Sequence, residues 1–166
     1  MSSITVVREL SSEVRELSGT TTGLEIFGDD QSVVAMKVDG VTRDLAVEIP
    51  AGATVEAVLA TADEGLAILR HSSAHVAAQA VQLLRADAKL GIGPPITDGF
   101  YYDFDVAEPF TPESLKGLEK EMNRIIKSGQ RFVRREITDD AARAEESAEP
   151  YKLELIGLKS TAGDAA

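Results

Sequence analysis

The sequence predicts an α+β fold, and three observations support this prediction. Short runs of β-branched and alternating apolar residues in the first part of the chain indicate strands. A long segment from Glu64 to about Leu90 has the periodicity of a helix. A second amphipathic helix follows an alternating aromatic and acidic run. The 166 residues suffice for two small domains, and we place the boundary between residues 62 and 63.

Residues 1–62 predict a small α+β domain. Ser and Thr before an apolar triplet suggest a capped short helix that ends at Gly28. Asp39-Gly40 is a hairpin turn signal between two apolar runs. The expected elements, in chain order, are a strand at 4–7, a helix at 24–27, a hairpin with strands at 33–38 and from 41, a strand at 45–49, and a last element at 55–59.

Residues 63–166 predict a second α+β domain, in which a long helix packs against an antiparallel sheet. The long helix carries Leu69, Val76, Ala80 and Leu83 on one face, which puts the two histidines on the opposite face. Thr111-Pro112-Glu113 starts the second helix, and Gly129 ends it. The other expected elements are a hairpin turn at 98–99, a strand at 100–106, a strand near residue 132, a helix at 141–148 and a strand at 151–158.

The composition of the chain excludes several classes of function. The net charge of −11 argues against general binding to DNA, because phosphates are neutralised by Lys and Arg. The chain contains no cysteine, so disulfide and thiolate chemistry are excluded within these residues. The N-terminal residues lack the apolar region of a secretory signal, and no window predicts a membrane span. We therefore expect a cytoplasmic protein without membrane contact.

The two histidines, His71 and His75, form the first candidate site. Residues four apart on a helix project side by side, so both imidazoles can converge on one water or one metal. A zinc site needs three or four protein ligands, and the sequence offers no third His and no Cys. The pair is thus an incomplete metal site, and two surface or packed histidines are the simpler alternative.

Three further groups of polar residues are candidates. Tyr101, Asp103 and Asp105 share one face of the expected strand, where the paired carboxylates could do acid–base work or bind a cation, or could simply be solvated. A lysine, Lys152, lies in an expected strand and could point into a pocket. A dense basic cluster could contact phosphates or simply be balanced by nearby glutamates, and it consists of Arg124, Lys127, Arg131, Arg134 and Arg135.

Four segments together resemble one family. RHSSAHVAAQAV, KLGIGPPITDGFYYDFD, LEKEMNRIIKSGQRF and EPYKLEL occur in the same order in the N-terminal part of bacterial threonyl-tRNA synthetases, and the second segment resembles the actinobacterial branch. The resemblance implies that residues 1–62 form a β-grasp-like TGS domain. It implies that residues 63–166 form the N-terminal part of the second additional domain, which is the editing domain of that family.

The resemblance also implies an activity. The editing domain of this family hydrolyses serine mischarged onto threonine tRNA, so His71, His75 and Lys152 would be catalytic. Tyr101, Asp103 and Asp105 would bind substrate. Four members of the basic cluster would contact tRNA(Thr), namely Lys127, Arg131, Arg134 and Arg135. The zinc and ATP of the family belong to parts that these residues do not match, so we expect no cofactor here.

One departure from the family pattern leaves three interpretations open. The family completes its editing pocket with a Cys-x-x-x-His segment, and this sequence contains no cysteine. We expect the truncated N-terminal region of a ligase, whose editing site is incomplete. The first alternative is a standalone, inactive tRNA- or protein-binding module, which could form a homo-oligomer or need a complementing chain. The second is a short hydrolase that uses only the two histidines and Lys152.

Overall fold

A computed structural model describes residues 2–8, 11–17, 19–133 and 135–161. The chain divides into two compact units, residues 1–70 and 71–166. Strands and helices occur in both, so the α+β prediction is confirmed. No helix within the described ranges combines the length and the apolar character that crossing a membrane requires.

The first unit is built on a five-stranded mixed sheet. Its spatial order is β2-β1-β7-β4-β5, with β1 and β7 parallel and the other pairs antiparallel. A separate two-stranded ladder joins β3 to β6. The elements are β1 (Ser2–Arg8), β2 (Ser11–Leu17), β3 (Thr21–Thr22), α1 (Gly23–Phe27), β4 (Val33–Val38), β5 (Val41–Arg43), β6 (Glu48–Ile49) and β7 (Thr54–Leu59).

Local sequence signals account for most of this unit. Asp39 and Gly40 adopt φ angles of 51° and 81°, the left-handed pair that a two-residue hairpin turn requires. Thr22 and Glu25 form a capping box at the start of α1, and Gly28 ends that helix. The hairpin and the short helix predicted from sequence are therefore confirmed.

The core of the first unit lies between α1 and the sheet. The largest side chains that are fully buried there are Phe27, Ile4, Met36, Val6 and Val55. Each such side chain contributes roughly 1.5–3 kcal/mol when it is removed from water. The alternation of buried residues along β1 and β7 thus fixes which face of the sheet packs inward.

Two details of the first unit differ from the sequence prediction. Strand β2, with sequence SSEVREL, was not predicted, because its polar residues suit an edge strand rather than a buried one. The expected strand at 45–49 shortens to β6. The cause is Asp44, whose carbonyl and carboxylate accept hydrogen bonds from the amides of Val47 and Ala46 in a turn.

The long helix α2 spans Asp63–Leu84. It ends before Leu90, where we expected it to end, because Lys89 and Leu90 instead form strand β8. Leu69 and Leu83 are 40% and 56% exposed, so the prediction that they belong to a buried apolar stripe is wrong. The residues of α2 that are buried are small ones: Gly65, Ala74, Ala77, Ala78, Ala80 and Val81.

The second unit continues with short strands and three helices. Two ladders of two residues each pair β9 with β10 and β8 with β11, so the extended antiparallel sheet expected here is absent from the described residues. The elements after α2 are β8 (Lys89–Leu90), β9 (Pro95–Ile96), β10 (Gly99–Phe100), β11 (Phe104–Asp105), α3 (Pro112–Lys127), α4 (Asp139–Glu145) and α5 (Pro150–Thr161).

Three sequence predictions in this unit need correction. The strand predicted at 100–106 is interrupted at residues 101–103, although its alternation of exposed and half-buried side chains persists. No strand forms at residues 131–133. The segment predicted as a strand at 151–158 is helix α5, because Pro150 starts a helix well and Leu, Glu and Lys favour one.

The helix α3 follows its sequence signals closely. Thr111 and Ser114 form a reciprocal capping box, with Pro112 at the first turn. Gly129 has a φ of 64°, the left-handed conformation expected just after a helix. Ile125 is the buried residue of this helix, whereas Leu115 and Ile126 of the apolar stripe are exposed.

Candidate functional site

The two histidines of α2 are in direct contact. The Nε2 atoms of His71 and His75 lie 3.0 Å apart, and the ring centroids are 4.7 Å apart at an interplanar angle of 80°. At this distance one ring donates a hydrogen bond to the other, so the two rings hold a single proton between their Nε2 atoms. Both side chains reach the surface, as the sequence predicted, although His75 is also partly buried.

The environment of His75 favours its neutral form. Partial burial lowers the pKa of His75, and the charges of His71 and Lys152 lower it further. The ring of Phe132 lies against it, with centroids 6.1 Å apart at 66°. A neutral imidazole at physiological pH can accept a proton from water, which is what a general base must do.

The predicted catalytic lysine occupies a helix rather than a strand. Lys152 lies in the first turn of α5, and its Nζ is 3.2 Å and 3.4 Å from the two carboxylate oxygens of Glu146. The positive charge of Lys152 lowers the pKa of His75. The ammonium is therefore close enough to affect the protonation of His75, although it forms an ion pair with Glu146.

The predicted substrate-binding residues divide into two groups. Asp103 and Asp105 both line a cavity of about 530 Å³ between the β8–β11 region and α5. Asp105 accepts a hydrogen bond of 2.9 Å from the hydroxyl of Tyr151, and this carboxylate raises the pKa of that phenol. Tyr101 is 50% exposed and is not among the lining residues of this cavity. The structure thus brings the two carboxylates together and leaves Tyr101 apart from them.

The basic cluster is partly neutralised. Arg124 pairs with Glu121, and Arg135 pairs with Glu145 at 2.8 Å. Lys127 and Arg131 are exposed and form no ion pair with another residue in the described part of the chain. The fifth member, Arg134, lies outside the described residues. Two exposed cations therefore remain for an anionic partner.

Beside His75 lies a cavity of about 240 Å³ that the sequence did not predict. Three of its residues were overlooked, namely Gln79, Gln130 and Phe132. Gln79 follows His71 and His75 at the same four-residue interval, so the helical spacing alone could have indicated it. Phe132 was missed because its segment was assigned to a strand.

The described residues around the histidine pair do not supply the ligands of a metal site. No group of three or more His, Cys, Asp and Glu suitable for a metal ion occurs among the described residues. The two imidazole nitrogens offer fewer than the three protein ligands of a catalytic zinc site. The donor set around the pair does not fit a resident metal.

Comparisons with known proteins identify relatives of this chain. No family model matches it. The threonine–tRNA ligase of Leifsonia xyli is 63% identical over 144 residues, which cover 87% of this chain and 21% of that enzyme. Those of Micrococcus luteus and Streptomyces coelicolor are each 56% identical, over 96% and 98% of this chain and 24% and 25% of the enzymes.

These matches make the chain homologous to one part of an aminoacyl-tRNA synthetase. It is homologous to the N-terminal part of actinobacterial threonine–tRNA ligases. The chain spans about a fifth to a quarter of the length of the curated relatives it matches.

Proposed function

We propose that this region hydrolyses the ester of serine mischarged onto threonine tRNA, as the editing part of a threonine–tRNA ligase. The observation that carries the proposal is the contact of 3.0 Å between the Nε2 atoms of His71 and His75, in a chain homologous to these ligases. In this proposal, residues 1–62 are a TGS domain. The parallel pairing of β1 with β7 around a short helix supports a β-grasp topology for it.

The need for such an activity follows from the chemistry of the two amino acids. Serine lacks only the methyl group of threonine. A difference of this size is worth only about 1–3 kcal/mol in a binding site, so synthesis alone discriminates poorly against serine. Hydrolysis at a second site supplies the remaining selectivity.

The proposed reaction is the attack of water on the ester carbonyl. The histidine pair accepts the proton of the water, the bond from the acyl carbon to the ribose oxygen breaks, and that oxygen receives a proton. The products are free serine and tRNA with a free ribose hydroxyl. The ammonium of Lys152 would orient the water or the carbonyl. To do so, the ammonium would have to break its ion pair with Glu146, or contact the substrate while it keeps that ion pair.

The test is the rate of deacylation of seryl-tRNA(Thr) by the full-length protein that carries these residues. We expect His71→Ala and His75→Ala each to lower the rate about 10²- to 10⁴-fold, the usual contribution of general acid–base catalysis. Lys152→Ala should also lower it. Lys120→Ala, an exposed lysine of α3, is the matched control and should have no effect.

Two results would contradict the proposal: an unchanged rate in both histidine variants, or no deacylation by the wild type. The Cys-x-x-x-His segment of the family provides a further test of the proposal. The 166 residues contain no cysteine, so we expect full activity only in a protein that supplies that segment. The proposal also includes a cytoplasmic location and tRNA(Thr) as the partner.

The second candidate function is binding of tRNA without catalysis. The exposed cations Lys127 and Arg131, which pair with no described residue, favour it. It predicts that the protein binds tRNA with the same affinity before and after His71→Ala, and that seryl-tRNA is not hydrolysed by either form. A deacylation rate that depends on His71 would exclude this alternative.

A further inference from the structure

Glu149 lies in the turn between α4 and α5, and its backbone joins the two helices. Its amide donates a hydrogen bond of 2.8 Å to the carbonyl of Glu146, the residue that ends α4. Its carbonyl accepts hydrogen bonds of 3.1 Å each from the amides of Lys152 and Leu153 in the first turn of α5. The backbone of Glu149 therefore sets where α5 begins, and with it the place of Lys152.

The side chain of Glu149 connects the same turn to two other elements. Its Oε1 accepts a hydrogen bond of 2.8 Å from the side-chain amide of Gln82 on α2. Its Oε2 accepts one of 3.0 Å from the backbone amide of Leu90 in β8. Gln82 follows His75 by about two helical turns, so both residues lie on the same face of α2. One carboxylate thus fastens the start of α5 to the helix face that carries the histidines.

The contacts of Glu149 are those of a fastening rather than of a charge partner. Its side chain is half-buried, and it forms no ion pair with any residue that the structure describes. Uncharged N–H groups hold it instead, and a hydrogen bond to an ionised acceptor is stronger than one between neutral groups. Lys152 differs in this respect, because its ammonium forms an ion pair with Glu146.

We propose that Glu149 is a positioning residue, whose carboxylate fastens the start of α5 to α2 and β8 and so holds the ammonium of Lys152 near the histidine pair. The inference rests on the proposed function, because it states what places the lysine that orients the water or the carbonyl. Glu149 itself contacts neither, and it acts through Lys152.

The first measurement is the pKa of His75 in the full-length protein, by NMR of labelled histidine, with the signal assigned by its loss in His75→Gln. Lys152→Ala should raise this pKa, because it removes a positive charge that lowers it. Glu149→Ala should also raise it, because Lys152 is no longer held in place. Loss of the negative charge of Glu149 would by itself lower the pKa of His75, so the direction of the shift separates the two effects.

Two further variants test whether the hydrogen bonds carry the effect. Glu149→Gln keeps an oxygen for the amide of Leu90, and its amide nitrogen can donate to the side-chain oxygen of Gln82 once that group turns over. This variant should leave the pKa of His75 as in the wild type. In a Lys152→Ala background, Glu149→Ala should cause no further rise, because the two residues act as one unit.

The rate of deacylation of seryl-tRNA(Thr) is the second measurement. Glu149→Ala should lower kcat about 10²-fold and leave KM unchanged, since a displacement of about 1 Å can have such an effect. Glu149→Gln should restore the rate. Gln82→Ala removes only one of the two side-chain bonds, at an exposed position, so it should shift both quantities in the same direction by less. The matched control is Glu154→Ala, an exposed glutamate of α5, which should neither raise the pKa nor lower the rate.

Three results would overturn the proposal. One is a pKa of His75 that does not respond to Lys152→Ala. Another is a pKa that responds to Lys152→Ala but does not rise in Glu149→Ala or Gln82→Ala. The third is an equal effect of Glu149→Gln and Glu149→Ala, because that result assigns the effect to charge rather than to position.

The outcomes also separate this inference from the proposed function, because the pKa measurement requires no hydrolysis. The expected pKa shifts without any deacylation would retain the positioning role of Glu149 and reject the editing function. Deacylation that depends on His71, together with an unchanged pKa of His75 in Glu149→Ala, would retain the editing function and reject the positioning role.

Discussion

At the scale of single residues, the contact between two imidazoles has a consequence for protonation. Two rings whose Nε2 atoms lie 3.0 Å apart cannot both carry a proton at that position. Partial burial of His75 lowers its pKa below the ordinary value of about 6.5, and the positive charges of His71 and Lys152 lower it further. The unfolded chain therefore binds this proton more readily than the folded one.

This difference predicts how stability depends on pH. The stabilising contribution of neutral His75 is fully present above about pH 6.5 and is lost as the pH falls below it, through the lowered pKa of the folded state. We expect the free energy of unfolding to decrease between pH 7.5 and pH 5.5 by more in the wild type than in His75→Gln. Urea denaturation at the two pH values measures it, and equal decreases would contradict the prediction.

At the scale of elements, the short ladder of β8 and β11 depends on close contact between backbone and ring. The amide of Gly91 donates to the carbonyl of Asp103 at 2.8 Å. Two residues on, a Cβ at Gly93 would lie 2.1 Å from a ring carbon of Tyr102. Only a glycine lets the chain pass this ring, which explains the position of Gly93 in the GIGPP segment.

The prediction is that Gly93→Ala destabilises the second unit by roughly 1–3 kcal/mol, as overpacking usually does. The matched control is Gly117→Ala in α3, where no atom lies within 4 Å of the added Cβ. Alanine is a better helix former, so this control should stabilise the protein by about 0.4–1 kcal/mol. Thermal unfolding of both variants gives the comparison, and a neutral Gly93→Ala would show that the Tyr102 ring moves aside at no cost.

The elements also show what the sequence could predict. Caps and turns are local, so Thr111 with Pro112 and the Asp39-Gly40 turn were predicted correctly. The helix α5 was not, because YKLELIGL alternates polar and apolar residues well enough to suggest a strand. The pairing partners that would decide between the two structures are distant in sequence, and local periodicity does not contain them.

The candidate site was predicted to a similar extent. The exposure of His71 and His75 follows from their helical spacing, and the prediction of their exposure was correct. The roles of these residues, of Lys152 and of the basic cluster remain predictions. The cavity beside His75 depends on the course of the chain after Gly129, and no local pattern in the sequence indicates that course.

At the scale of the whole molecule, the net charge is strongly negative, whereas positive side chains are concentrated in the basic cluster. The chain carries a net charge of −11, and ion pairs occupy Arg124 and Arg135. Any contact with tRNA phosphates by this region therefore depends on a few side chains. Its dependence on salt should reveal how many they are.

We predict that Arg131→Ala reduces the slope of log K for tRNA binding against log salt concentration by about 0.7–1 in the full-length protein, the value for one phosphate contact. Arg135→Ala is the control, because its guanidinium is already paired with Glu145, and it should change the slope less. Filter binding at several salt concentrations measures the slope. An unchanged slope in Arg131→Ala would remove this residue from the phosphate contacts.

The buried alanine residues of α2 make this helix sensitive to single-nucleotide mutations. Ala74 and Ala80 are completely buried, and one nucleotide change converts any alanine codon to a valine codon. The added methyl groups would strain the packing at a typical cost of about 1–3 kcal/mol and shift the helix that carries both imidazoles. A mutation that changes no charge and keeps the position apolar would therefore disturb the histidine pair without replacing either histidine.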